Sequence, residues 1–458
     1  MSIDDVVRGA CARGLISPAV SLEDHACAFF HDLDAFDTNM RDVRTSFPSH
    51  WLHTMAIKTN PLAAMLTLAK EAGHGAECAS IGEVQHALRL GFEPATIMYD
   101  SPCKTLPEIR HALAHGVQLN IDNLQELDRV RGILAEGAST KSIIGLRINP
   151  LVGAGAVEAL SVSTAKSKFG VMLPHEADGA ARKAVIDELV RSPFLTALHC
   201  HVGSGSMSLE QMAQGAARVV RLAMEVNEIR SQRDDGARPI DVLDIGGGLP
   251  VSWGMGLQKP SFGDYAEALR ACAPALFDEK QFKTVVTEFG ASMHCKYGWL
   301  GAVIELTKLS ATQSQIAMIH AGSDLFLRAC YAPHMRGPHP VLAYSARGER
   351  LHATDQMPAL STDVAGPLCF AGDVVVPSVS LPPLAPGDVL VLLEAGGNTL
   401  SLATAHCSRR RPPVYGYRRR SAQAREVSAD GFDFICLSRG TSYDDVLGVW
   451  AAAEPMPT

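Results

Sequence analysis

The 458-residue chain has no apolar run approaching the ~18 residues that a membrane-crossing helix needs. It also lacks basic excess. Its 41 Lys and Arg against 49 Asp and Glu leave a formal net charge of −8, which argues against nucleic acid or an anionic membrane as partner. The 11 cysteines are odd in number and never form a Cys-x-x-Cys pair. Neither a disulfide framework nor a cysteine zinc site is therefore expected, and reduced thiols in the cytoplasm are. His199 and His201 have no third ligand at metal-site spacing, so no metal is expected either. The start, Met1-Ser2-Ile3-Asp4-Asp5, lacks the basic and apolar regions of a secretory signal. The arginine runs at 409–411 and 418–420 read as solvated or interface charge in so acidic a chain. There is no internal repeat and no low-complexity linker.

What is present is ordinary for a soluble globular protein, with 47% hydrophobic and 20% charged residues, and the length predicts two domains. Between about residues 25 and 300, short apolar runs alternate with amphipathic stretches. Strands are predicted at 29–33, 55–58, 76–79, 96–99, 117–121, 143–148, 196–201, 242–245 and 284–287. Helices are predicted at 35–47 and 62–72, and another begins at Ser80, which caps it with Glu83 three residues on. About eight such units imply a parallel sheet closed into an α/β barrel. From residue 301 the texture changes to short β-rich runs (316–319, 341–344, 374–376, 389–393) between Pro and Gly turns. That predicts a second, mainly β domain, formed by 301–458 with the N-terminal segment 1–24.

Several strand ends carry chemistry. In Met55-Ala56-Ile57-Lys58-Thr59-Asn60-Pro61 a lone lysine stands between an apolar stretch and an Asn-Pro stop. A lysine held in a desolvated pocket can form a Schiff base with an aldehyde, although this one motif also suits a surface lysine. His199-Cys200-His201-Val202-Gly203-Ser204 follows an apolar run, Leu243-Asp244-Ile245 runs into Gly246-Gly247-Gly248, and Val285-Val286-Thr287 ends on Glu288 and Gly290. Gly366-Pro367-Leu368-Cys369-Phe370-Ala371-Gly372-Asp373 lies far downstream. Taken in this order, from about Val20 to the C-terminal region, these segments resemble the fold type III pyridoxal-phosphate decarboxylases that act on diaminopimelate, ornithine and arginine.

The resemblance implies an alanine racemase-like (β/α)8 barrel with a β domain, and a homodimer with shared active sites acting on a small amino-acid substrate. It implies that Lys58 carries the cofactor, that His201 stacks on its ring, and that Gly246, Gly247, Gly248 and Ser204 cradle its phosphate. Glu288 would protonate the pyridine nitrogen, which favours decarboxylation over racemisation because a protonated ring accepts electrons more deeply. Glu77 and Glu83 match an acidic strand-turn, with Lys168 as a candidate partner for Glu83. Tyr99-Asp100-Ser101-Pro102-Cys103-Lys104 and Arg147-Ile148-Asn149-Pro150 are also similar. Cys369 would reach the partner's site and return a proton after carbon dioxide leaves.

The departures are informative. The family follows its glutamate with Pro-Gly-Arg, whereas here Glu288 is followed by Phe289-Gly290-Ala291, so a phosphate-gripping arginine is missing. A phosphate tyrosine is replaced by Asn398, and Ser292 and Asn398 are the candidates to substitute. Where the family has an acid after the cysteine to meet a distal ammonium, this chain has Phe370, as carboxynorspermidine decarboxylases have an apolar Leu. An unpaired ammonium against that ring would be costly, so the substrate's far end is expected not to be a simple ammonium there. Asp373 and Arg328 are the remaining candidates for substrate contact. The rival readings are a homologue that has lost its cofactor and acts as a binding or regulatory protein, and a racemase or aldolase using the same cofactor.

Overall fold

In a computed structural model of the chain, residues 2–233, 236–254, 256–420 and 431–451 are described. Strands are numbered in chain order: β1 (Cys27–Asp32), β2 (Leu52–Ala56), β3 (Gly75–Cys78), β4 (Ile97–Tyr99), β5 (Gln118–Ile121), β6 (Ile144–Asn149), β7 (Val171–Met172), β8 (Leu195–His199), β9 (Val242–Asp244) and β10 (Thr284–Phe289). Strands β3, β4, β5, β6, β8 and β9 are buried at every residue rather than at alternate ones. Continuous burial is what a parallel sheet covered by helices requires. All pairings are parallel, running β5-β4-β3-β2-β10-β9-β8-β6, and a further β5–β6 pairing closes the ring. The two-residue β7 is a spur on β6. The expected (β/α)8 barrel is therefore present.

Capping residues fix where the helices begin, and hence how long the loops at the strands' C-terminal ends are. Ser80 accepts from Glu83 N–H, Asn123 from Glu126 N–H, and Thr105, Ser208 and Ser261 each form a reciprocal capping box.

One strand falls outside its expected place. The segment predicted at 29–33 does form a strand, with a helix (Leu33–Ser46) after it, but β1 pairs antiparallel with β11 (Gly298–Leu309) and parallel with β17 (Val414–Arg419). It belongs to the second sheet, and the barrel begins at β2. A single strand-helix pattern is the same in either setting. What decides between them is a partner some 270 residues downstream, such as Leu300 opposite Phe29.

By contacts the chain divides into one unit of Met1–Phe36, Trp253–Gly256 and His294–Thr458, and another of Asp37–Ser252 and Leu257–Met293. The first unit holds the remaining strands: β12 (Gln315–Ile319), β13 (Val341–Tyr344), β14 (Leu360–Ala365), β15 (Val374–Leu381), β16 (Val389–Leu392) and β18 (Phe432–Ser438). Its sheet runs β15-β14-β12-β11-β1-β17-β18, with β16 joining β11 to β13. Phe30 stacks on Trp299 at 4.2 Å in its core, and the N-terminal helix Ile3–Ala12 adds Val6, Val7 and Ala10. Of the segments expected in the β domain, residues 1, 421–430 and 452–458 lie outside the described residues. Among the described residues, no helix is long and apolar enough to cross a membrane.

A buried ion pair ties the barrel's βα units together. Lys104 Nζ lies 2.9 Å from a Glu126 oxygen and donates to the carbonyls of Ser101 and Asn120 at 2.6 and 2.9 Å. Removing one partner leaves a buried charge uncompensated. Lys104→Met is expected to cost about 3–5 kcal/mol of unfolding free energy in denaturant titration, and Lys104→Met with Glu126→Leu to recover much of it.

Candidate active site

The C-terminal ends of the barrel strands converge on a cluster of ionisable side chains. Lys58 sits in the short turn Ile57–Thr59 directly after β2. Its Nζ donates to both oxygens of Glu77, at the end of β3, at 2.6 and 2.5 Å. The lysine side chain keeps 52% of its exposure, whereas the Glu77 side chain has none. Partial burial works against the Lys58 charge, but Glu77, Asp100 and Glu288 together raise the ammonium above its ordinary value.

His201 follows β8. Its Nδ1 accepts from the Gly247 N–H at 3.1 Å, which leaves the ring proton on Nε2, 3.2 Å from Ser204 Oγ. Burial, then the charges of Arg147 and Lys58, push its pKa well below the usual range, so the imidazole is neutral. The glycine run after β9 meets that histidine backbone to backbone. Gly246 and Gly248 have φ of +68° and +93°, which favour glycine, and a Cβ on Gly247 or Gly248 would collide with the carbonyl of Glu288 or Gly203. Two of the three amides are engaged internally, Gly246 with Asp244 Oδ1 at 3.0 Å and Gly247 with His201. Among the described residues no protein group accepts the Gly248 N–H.

Glu288, at the end of β10, is 5% exposed, and its Oε1 has no partner among the described residues. Burial, then the negative charge of Asp100, pushes its pKa up to about 7. His199 Nε2 lies 3.6 Å from its other oxygen, and neither ring nitrogen of His199 has a hydrogen-bond partner among the described residues. Behind them Asp244 is held by Asn120 at 3.0 Å, and burial beside Glu288 raises its pKa strongly. Arg147 stands between Asp100 and Asp122 at 3.9 and 3.8 Å, over the ring of Phe169.

Asp100, His199 and Asp244 were not assigned to the cluster from sequence. Each is a polar residue at the end of an apolar strand, which is the signal that marks them. The expected Lys168–Glu83 pair does not form. Glu83 instead accepts the Ala79 N–H at 2.7 Å at the start of its helix, and Lys168 lies over the Phe169 ring.

The other expected site residues lie in the β unit. Asn398 adopts a left-handed backbone (φ +54°). Arg328 is half-buried on the helix Leu327–Tyr331, and Cys369 is exposed. Phe370 stacks on Tyr331 with ring centroids 5.1 Å apart. Asp373 is engaged with backbone. It is 3% exposed, and its oxygens accept the backbone N–H groups of Ser323 and Leu368 at 2.5 and 2.7 Å. That carboxylate ties two loops together.

The raised pKa of Glu288 has a consequence for stability. Folded, the group keeps its proton up to about pH 7, whereas the unfolded chain releases it near 4.5. The folded state is therefore favoured below the unfolded value, and that advantage is lost as pH rises to about 7. In the cofactor-free protein, Glu288→Gln is expected to match the parent at pH 4 and to exceed it by on the order of 3 kcal/mol above pH 7, read by denaturant titration.

With this geometry established, comparison with known proteins is direct. A family described as "Pyridoxal-dependent decarboxylase, pyridoxal binding domain" matches residues 33–294, more than half of the chain. Among relatives, the diaminopimelate decarboxylase of Methanothermobacter thermautotrophicus is 29% identical over 366 residues, covering 78% of each chain. That of Helicobacter pylori is 27% identical over 390 residues, covering 83% of this chain and 87% of the other. The crystal structure of the Helicobacter pylori diaminopimelate decarboxylase with L-lysine superposes with a TM-score of 0.75 at 22% identity, over 93% of this chain and 96% of that one. A lysine/ornithine decarboxylase of Vibrio vulnificus with putrescine gives 0.63 at 20% identity, over 83% and 91%. The structural likenesses concern the fold, and the family match carries the assignment: the chain belongs to the pyridoxal-dependent decarboxylases, enzymes that release the carboxyl group of an amino acid with pyridoxal phosphate as cofactor.

Proposed function

We propose that this chain decarboxylates an α-amino acid or amino-acid conjugate whose distal end is not a bare ammonium, with Lys58 holding the cofactor and Glu288 setting its electronic character. The observation that carries the reading is Glu288, a buried carboxyl at a barrel-strand end with an unpartnered oxygen and a pKa near 7. When bound, pyridoxal phosphate supplies an aldehyde that captures amines and a ring that accepts the electron pair left by the departing carboxylate.

The residues present fit that group. The Lys58 side chain keeps about half of its exposure just after β2, as attachment requires. The unshared Gly248 N–H and the Ser204 hydroxyl suit phosphate oxygens, in a loop where no Cβ could stand. Glu288 would hold a proton at the ring nitrogen, and its depressed neighbour His201 would offer a neutral, fixed ring face. Cys369, from a second copy in a homodimer, would return the proton to carbon. Arg328 is the candidate for a substrate carboxylate, and Asn398 for the role of the missing phosphate tyrosine.

The substrate reading rests on Phe370. The aromatic pair of Phe370 and Tyr331 offers no carboxylate to a distal ammonium, and Asp373 is already committed to the backbone. The relatives are diaminopimelate decarboxylases, and the proposal is that this chain departs from them at the distal end.

Carbon dioxide release from a panel of amino acids tests this. N-substituted or conjugated diamino acids are expected to react faster than meso-diaminopimelate, lysine or ornithine, with Phe370→Asp shifting preference toward the free diamines. A bare diamino acid as the fastest substrate of the parent protein would contradict the proposal. Glu288→Gln is expected to lower kcat on the order of a hundredfold while the cofactor's visible band still forms.

A further inference from the structure

Asp100 directly follows β4, His199 ends β8, and Glu288 stands near the end of β10. An oxygen of Asp100, a nitrogen of His199 and an oxygen of Glu288 all lie within 4.8 Å of one another. The three residues are 7%, 0% and 5% exposed. Among the described residues, Asp100 Oδ1, Glu288 Oε1 and both ring nitrogens of His199 have no hydrogen-bond partner. Buried polar atoms are almost always paired, so this group of orphans on three neighbouring side chains needs an occupant.

The rest of the carboxyl cluster is already served. Lys58 Nζ donates to both oxygens of Glu77, and Asp244 accepts from Asn120 and from the Gly246 N–H. Asp122 Oδ1 accepts the Gly170 N–H and shares Arg147 with Asp100. Arg147 approaches Asp100 through Oδ2 at 3.9 Å, which leaves Oδ1 over. His199 Nε2 is 3.6 Å from Glu288 Oε2, too far for a hydrogen bond. The three side chains thus crowd together without bonding one another.

Two neighbouring carboxylates in a dry interior need a counter-charge, which a water molecule does not supply. A divalent cation balances both and also binds a neutral imidazole. We propose that the cofactor-free protein holds one divalent transition-metal ion on Asp100, His199 and Glu288, with water completing its coordination. One imidazole and two carboxylates suit zinc better than magnesium, which takes oxygen ligands, or monovalent copper, which takes sulfur. Zinc–ligand bonds of about 2.0–2.2 Å put neighbouring ligand atoms roughly 3.4 Å apart. The His199–Glu288 pair is already close to that, and the widest separation closes by about 1.4 Å or less as the side chains turn inward. Sequence spacing could not announce this set, because its members come from three separate strands and His201 is not among them.

One consequence rests on the reading of Glu288 as the partner of the cofactor's ring nitrogen. A single carboxylate oxygen cannot serve both, so metal and pyridoxal phosphate exclude each other. The site itself depends neither on that reading nor on the role of Lys58.

Calorimetric titration of the metal-stripped, cofactor-free full-length protein with Zn2+ at neutral pH tests the proposal. One ion per chain is expected, at micromolar affinity or tighter. His199→Leu removes a ligand that makes no hydrogen bond, and Asp100→Asn removes charge while keeping shape. Each is expected to weaken binding at least about tenfold. Co2+ in place of Zn2+ should show nitrogen and oxygen donors in its visible spectrum, without the thiolate band that capture by a cysteine would produce. Circular dichroism checks the fold of each variant, and Glu288→Gln decides the matter if neither of the others folds. No micromolar binding, a thiolate band, or binding that every folded variant retains would overturn the proposal. Binding that the variants lose but the protein loaded with pyridoxal phosphate keeps would uphold the site and overturn the reading of Glu288 instead.

Discussion

The barrel's chemistry depends on an excess of buried carboxyl groups at one end of its sheet. Among the described residues, Glu77, Asp100, Asp122, Asp244 and Glu288 crowd around Lys58 and Arg147, with Lys104 a further cation beside Asp122. In so dry a place like charges cannot all ionise, and protons are retained instead. That is why Asp244 and Glu288 titrate high and why Lys58 stays charged in the absence of an aldehyde, whereas burial, against the pull of those carboxyls, lowers the pKa of His199 and His201. The arrangement disfavours folding locally. Capped helices and strands buried on both faces offset it, and the result is a set of groups whose protonation responds to whatever enters the pocket.

The glycine run after β9 belongs to the same design. Its backbone packs so closely on the loops bearing His201 and Glu288 that any side chain would push those loops apart. Close packing fixes the tautomer of His201 through one amide, and among the described residues no protein group accepts the next one. Position and protonation are thus set by the same backbone contact, which is how a rigid scaffold holds a reactive constellation.

Much of this was legible in the sequence because it is local. Apolar runs ending in Lys58, His201, Gly246 or Glu288 announce both a strand and what stands at its end, and the barrel follows from their alternation. What failed was non-local. β1 looks like a barrel strand until its partners in β11 and β17 are known. Asp373 sits in a motif that points to substrate, yet the folded loop turns its carboxylate onto backbone amides of Ser323 and Leu368. Asp100 passes as a turn residue because its importance arises only where separate strands converge. Strands β11, β14, β17 and β18 escaped because their burial alternates or fades along their length, as an edge or half-covered sheet allows.

The central claim is that Lys58 is the amine that holds the cofactor. Borohydride reduction of the protein loaded with pyridoxal phosphate, followed by peptide mass mapping, tests it most directly. The account predicts a single pyridoxyl-phosphate adduct on the peptide containing Lys58. An adduct on another lysine, such as Lys104 or Lys296, or no adduct at saturating cofactor, would contradict it.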